Sequence, residues 1–393
     1  MSLLRSERVA AVLLLVAAAL GLISANSPVG GGLMRVQELH WGIPAIGLDL
    51  SVGHWISDGL LAVFFFVVAV ELKNELTVGQ LNSVSKAIRP AIAALGGVIV
   101  PALIYLAVTA GSGYSGGWPI PTATDIAFAL GVLAVFGKGI PSRLRIFILA
   151  LAILDDIVAI VIIALFFTKD ANLLFLAIAV VGVALFALLS RFLGSRMRVP
   201  VAIAMVLVAL LTWYFVYESG VHATIAGVAL GLAMLRKPGM RTRHALEPFT
   251  NGGILPLFAF SAALVAIPQV SIGELKAPFW GILIALPVGK LIGIGVGGWL
   301  AGFVGPRGSR PVLTFQGLVT AGALGGVGFT VSLLMNELAF ARRPEVADEG
   351  TLAVLLGSVI SIVVSGILVS RLAAYYRRLR ELRRAAERRL TAG

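Results

Sequence analysis

Apolar stretches of about 18 to 25 residues recur along this 393-residue chain, and short clusters between them gather nearly all of its charge. Each stretch is long enough to cross about 30 Å of hydrocarbon as a helix. A backbone in lipid has no water to satisfy its amides and carbonyls, so only helices or closed barrels are open to it. Outer-membrane barrels read as roughly ten-residue segments of alternating polarity. The runs here do not alternate: the one that starts at Ile157 reads IVAIVIIALFF. With 59% apolar and 13% charged residues, the composition also fits no soluble class. The expectation is an all-α integral membrane protein.

Twelve apolar windows are centred near Leu15, Phe65, Gly97, Leu130, Val158, Ala179, Leu207, Val228, Leu257, Leu291, Leu324 and Val363. Basic residues sort onto alternate connections between them. One face takes 25, from Arg5 and Arg8 to the eight arginines at the C-terminal end. The other takes five: Arg35, Lys169, Lys276, Arg342 and Arg343. This asymmetry predicts twelve spans in one transmembrane domain over 1–393, with both termini cytoplasmic. It also accounts for the net charge of +12 without nucleic acid. The basic tail, 371–393, is expected to lie on anionic membrane lipid. The run 9–24 behind two arginines has the length of a signal peptide, but no small-x-small cleavage site follows, which favours a retained anchor. The absence of cysteine excludes disulfides and thiolate chemistry.

Two windows read as interrupted. The fourth opens on Gly116, Gly117, Pro119 and Pro121, and the eleventh carries Gly322, Gly325, Gly326 and Gly328 in its middle. Proline and glycine both oppose a continuous helix there. Each interruption is the middle member of a three-span unit, and an offset of seven spans, from the third to the tenth, sets the two units in opposite directions. Inverted repeats with broken helices are the plan of many secondary transporters.

Ionisable groups near the centre of a bilayer cost at least ~2.5 kcal/mol on insertion scales, so each is a candidate functional residue. Asp125, the adjacent Asp155 and Asp156, and Lys290 all fall inside apolar windows. Adjacent aspartates on a helix point about 100° apart, so the two cannot play equivalent roles. One can coordinate a cation while the other takes protons or pairs with Lys290. The oxygen ligands on offer are Asp156, Asp125, the Thr124 hydroxyl and carbonyls freed at the break, a set that suits a hard alkali cation. Protons and metal ions then compete for one site, and no cofactor is called for. A Lys290–aspartate pair that only fixes packing is the alternative, but one lysine cannot neutralise three carboxylates. Farther out, Glu71 and Glu75 share a helix face near Lys73 and Arg243, either as a cation funnel and pH-sensing cluster or as a solvated face. His222 stands at the entry to the eighth window, as a gate, a pH sensor or a histidine satisfied by nearby backbone.

Several dispersed motifs now align in order: Ala123-Thr124-Asp125-Ile126-Ala127-Phe128-Ala129-Leu130-Gly131, the Asp155-Asp156 pair, Ser219-Gly220-Val221-His222-Ala223-Thr224, Pro256-Leu257-Phe258-Ala259-Phe260, Gly289-Lys290, and Gly326-Val327-Gly328-Phe329-Thr330. Together they resemble the bacterial NhaA Na⁺/H⁺ antiporters over nearly the whole chain. The resemblance implies twelve helices with crossed interruptions in the fourth and eleventh, and Asp156 as the main Na⁺ ligand. It implies ion and proton handling by Asp155 with Asp125, and places Lys290 on the family's intramembrane lysine. It further implies two protons inward per Na⁺ or Li⁺ outward at the bacterial plasma membrane, activation at alkaline pH, and a homodimer through the segment 42–53. Two departures stand out. The family's usual Asn-Ala-Gly after Leu-Phe-Ala-Phe is here Ser261-Ala262-Ala263, and Arg243 occupies a position where a glutamate linked to pH sensing is usual, with Glu247 one turn later. The rival expectations are a sodium-coupled symporter on the same plan and an intramembrane aspartyl protease. The protease is disfavoured because it needs a Gly-x-Gly-Asp motif and has no central lysine.

Overall fold

The computed structural model describes residues 7–79, 81–168, 171–193, 198–267, 272–304 and 313–391, apart from the side chains at 7, 8, 44, 85, 86, 126, 127, 156 and 383–391. Among the described residues, seven helices are long and apolar enough to span a membrane: Val52–Thr77, Ala87–Val108, Ser142–Phe166, Leu173–Ser190, Arg198–Glu218, Ala277–Phe303 and Pro344–Leu382. Two bent pairs, Val9–Ala25 with Gly30–Glu38 (108°) and Phe315–Gly325 with Phe329–Phe340 (49°), bring the number to nine. The apolar windows around Leu130, Val228 and Leu257 instead form helices of 11, 10 and 8 residues, Ile126–Phe136, Thr224–Ala233 and Leu255–Ala262.

Contacts divide the chain into two compact units, each made of two segments. The first joins Met1–Ser83 to Val158–Pro268. Within it the Leu61–Thr77 helix meets Thr224–Ala233 backbone to backbone, since a Cβ at Gly227 would stand 1.9 Å from the Ala62 carbonyl oxygen and one at Gly231 2.6 Å from that of Phe66. Small residues permit this approach where lipid supplies no hydrophobic drive between helices. The strands His40–Ile43 and Leu48–Ser51 pair as an antiparallel hairpin, with Gly47 at a φ of 74° in its turn.

The second unit joins Val84–Ile157 to Gln269–Gly393, and so unites the windows flanking both interruptions. The Val84–Val108 helix packs on Lys290–Leu300 through glycines: a Cβ on Gly96 would lie 2.2 Å from the Gly293 carbonyl oxygen, and a Cβ on Gly293 would lie 2.2 Å from that of Gly96. A core of Ala93, Leu133, Leu144, Phe147, Leu151, Ile294, Leu324 and Val369 fills the space behind them. Pro287 has no N–H to donate, and the helix widens into a π turn over Ala285–Gly289 just before Lys290.

One end of this unit is tied by charge. Buried Glu349 accepts a hydrogen bond from the Lys276 backbone N–H (2.8 Å) at the start of the Ala277–Ile284 helix, and the Lys276 Nζ donates to Glu345 (2.9 Å). The Glu345 hydrogen bond raises the Lys276 ammonium above its ordinary value. The tie is therefore present across the neutral range and is lost in acid as Glu345 protonates and in alkali as pH climbs past the raised lysine value. Replacing Glu349 with alanine is expected to cost about 1–2 kcal/mol, the loss of a helix cap, whereas glutamine keeps an acceptor and costs less. Thermal unfolding in detergent measures the difference, and equal losses for both variants would deny Glu349 its capping role.

Candidate functional site

Two helix breaks in the second unit meet. Residues 123–125 run extended between the Ile120–Thr122 turn and the Ile126–Phe136 helix, and 326–328 separate Phe315–Gly325 from Phe329–Phe340. At the crossing the Asp125 N–H donates to the Val327 carbonyl (2.6 Å), and the Ser332 hydroxyl donates to that of Ile120 (2.8 Å). Each break thus satisfies backbone groups the other exposes, as buried backbone in lipid requires.

Asp125 caps two helices at once. Its Oδ1 accepts from the Phe128 N–H (3.3 Å), and its Oδ2 from the Thr330 hydroxyl (2.6 Å) and N–H (3.2 Å). Both helix N-termini carry partial positive charge, and a carboxylate 4% exposed is the group that offsets them. Thr330 has no assigned role in the sequence reading. Its place directly after the glycine run, opposite an aspartate at the matching break, was the available signal.

Asp155 lies on the Ser142–Phe166 helix and Lys290 directly follows the π turn; they are 2% and 0% exposed. The Lys290 Nζ donates to Asp155 Oδ2 at 2.8 Å. The Thr124 hydroxyl stands 2.7 Å from the same oxygen and 2.8 Å from the Gly325 carbonyl. One hydroxyl proton faces two acceptors, so Thr124 links the carboxylate to the end of the broken helix. Asp155 Oδ1 is buried and accepts no hydrogen bond from any described residue. A buried carboxylate oxygen with open lone pairs, beside a hydroxyl and a carbonyl, is where a hard cation finds oxygen ligands. Asp156 follows Asp155 on the helix, and its side chain lies outside the described residues.

The remaining sequence candidates fall in the first unit. Arg243 donates to Glu71 Oε2 through Nη2 (2.9 Å) and Nε (3.2 Å), and also lies 3.8 Å from Glu247. His244 stands 3.6 Å from Glu247, and half-buried Glu75 sits one turn beyond Glu71. Arginine at 243 therefore draws Glu71 and Glu247 into one cluster. The His222 side chain is 5% exposed, with Nδ1 accepting from the Thr224 N–H (3.4 Å) and Nε2 3.6 Å from Asp58. Among the described residues no group of three His, Asp or Glu side chains stands ready for a resident metal ion.

A family model described as Na⁺/H⁺ antiporter 1 matches residues 1–369. The chain is 61% identical to a Na⁺/H⁺ antiporter NhaA 2 of Clavibacter michiganensis, over 94% of this chain and 91% of that protein. It is 47% identical to a Na⁺/H⁺ antiporter NhaA of Tropheryma whipplei, over 94% and 95% of the two chains. With an NhaA of Mycolicibacterium smegmatis the identity is 41%, over 96% and 89%. The matched range spans both breaks, the aspartate pair and the buried lysine, and the chain belongs to the NhaA family of Na⁺/H⁺ antiporters, which are secondary transporters and not enzymes.

Proposed function

We propose that this protein exports Na⁺, and accepts Li⁺, in exchange for protons entering across the bacterial plasma membrane. The observation that carries this reading is the buried Asp155 carboxylate, held by Lys290 and Thr124 through one oxygen while the other is left open. A cation approaching Oδ1 competes with the Lys290 ammonium for the same carboxylate. Asp156 is the main Na⁺ ligand in this scheme, with Asp155, the Thr124 hydroxyl and the Asp125 charge completing the site. Loss of its partner lets Lys290 release a proton, and a carboxylic acid of the site that gives up its proton to hold the cation releases another. Two protons per Na⁺ move one net charge inward, so the membrane potential drives sodium out and serves sodium and pH homeostasis.

The finer architecture follows from the same reading: twelve spans, both termini in the cytoplasm, and two inverted three-span units meeting at their breaks. Their union in one compact unit supports it. Glu71, Glu75 and Glu247 around Arg243, and His222 beside Asp58, are the groups we assign to pH response. The exposed Trp41, Ile43 and Ile46 of the hairpin suit a homodimer contact.

Everted vesicles carrying a pH gradient test the exchange. Added Na⁺ should collapse the gradient with the wild-type protein and fail to do so with Asp156→Asn, while Lys290→Ala should lose its dependence on membrane potential. The apparent Na⁺ KM should fall by up to about tenfold per pH unit on the acid side for each competing proton, because two ligands that exclude each other are linked reciprocally. An Asp156→Asn protein with wild-type sodium affinity and rate would remove Asp156 from the site. Sodium-dependent uptake of an organic solute without proton exchange would point to symport instead.

A further inference from the structure

The Pro344–Thr391 helix runs past residue 369, where the family match ends, and two of its arginines beyond that point turn back onto the unit. Arg377 Nη1 donates to the Lys138 carbonyl (3.1 Å), and Arg380 Nη2 donates to that of Gly139. These carbonyls belong to the short loop 137–141, which joins the helix capped by Asp125 to the helix that bears Asp155. Gly139 has a φ of 110°, and a Cβ there would stand 2.8 Å from Arg380 Nη2 and 3.1 Å from Arg377 Cγ. Backbone conformation therefore favours glycine here, and an added Cβ would also press on the two arginine side chains. Ile140 of the loop and Tyr376 of the tail pack against the same core as Leu133, Leu144, Leu151 and Leu372. The loop is thus held by apolar contact on one side and by arginines on the other. Lys138, Arg143 and Arg145 around it are also basic, so charge between side chains would drive the arginines away, whereas the loop carbonyls attract them.

We propose that Arg377 and Arg380 are positioning residues for transport, clamping the loop 137–141 and so fixing the register between the helices that carry Asp125 and Asp155. The effect on Na⁺ rests on the antiport reading given above, whereas the clamp itself does not. The protein in liposomes is compared as wild type, as Arg377→Ala/Arg380→Ala, as Arg377→Lys/Arg380→Lys, and as Arg371→Ala/Arg378→Ala, which removes equal charge from arginines that make no hydrogen bond to the loop. Amide exchange in the loop should quicken at least roughly tenfold in the first alanine pair, because local opening loses two charge-assisted hydrogen bonds. Its apparent KM for Na⁺ should rise about threefold to tenfold with turnover changed less than twofold, the lysine pair should recover part of both effects, and the control pair should change neither. The measurements are made in purely zwitterionic liposomes and in liposomes containing anionic phospholipid. Unchanged loop exchange overturns the clamp, as does an equal response of the control pair. Quickened exchange with an unaltered KM overturns the positioning role. An effect confined to anionic liposomes would mean that the arginines act on lipid headgroups and not on the loop. If the wild type shows no sodium-driven proton movement, the antiport reading fails, and loop exchange still decides the clamp.

Discussion

Asp155→Asn is expected to abolish sodium-driven proton movement and to lower the thermal stability of the purified protein sharply. Lys290 is 0% exposed and its ammonium donates to Asp155. Asparagine fills nearly the same space but brings no counter-charge. Breaking a buried ion pair by removing one partner typically costs ~3–5 kcal/mol, because the survivor stays buried and uncompensated. The cost here is not a measure of how much the pair stabilises the fold, since replacing both partners with apolar groups of similar volume is often close to neutral. The double variant Asp155→Asn/Lys290→Met should therefore regain most of the lost melting temperature. A double variant no more stable than Asp155→Asn alone would mean that Asp155 serves the fold through Thr124 rather than through Lys290.

The same pair shows what was legible in the sequence. An aspartate or lysine inside an apolar run is costly wherever it sits, so Asp125, Asp155, Asp156 and Lys290 announce themselves without a structure. Which carboxylate takes the lysine does not, because Asp155 and Lys290 are 135 residues apart and adjacent aspartates differ only in the direction they face. The breaks are legible because proline and glycine act locally, but the use made of them is not. Thr330 closing over Asp125, and Thr124 standing between Asp155 and the Gly325 carbonyl, depend on two breaks meeting in space. Hydropathy windows register how many apolar residues lie together and are blind to helix continuity. They mark Leu130 and Val228 as strongly as Phe65, although Pro119, Pro121 and the positive-φ Gly220 precede short helices there. The Arg377 and Arg380 contacts are hidden for another reason: basic residues at a helix end already have an adequate explanation in lipid.

Gly293→Val should disrupt the unit that holds the site, and Gly295→Val, the same change on the same helix, should not. Gly289, Gly293 and Gly297 recur every fourth residue and share one helix face. Cβ atoms built there would lie 2.7 Å from Pro101 Cα, 2.2 Å from the Gly96 carbonyl oxygen and 2.7 Å from that of Ile92. Valine at 293 must therefore push the Val84–Val108 and Lys290–Leu300 helices apart against backbone, which cannot rotate away as a side chain can. Overpacking in an ordinary core costs about 1–3 kcal/mol, and a clash with a main-chain carbonyl belongs at or above the top of that range. The displacement also acts on transport. Lys290 is one turn away and its chain passes within 3.7 Å of the Gly97 Cβ position, so moving the helix moves Nζ from a carboxylate it reaches at 2.8 Å. At Gly295 an added Cβ meets nothing within 4 Å, and valine there changes the face without a contact to break. Comparing yield of monodisperse protein, melting temperature and Na⁺ KM for the two variants separates backbone packing from helix propensity, because propensity shifts equally in both. Similar behaviour of the two would remove close glycine packing as the cause of Lys290's position.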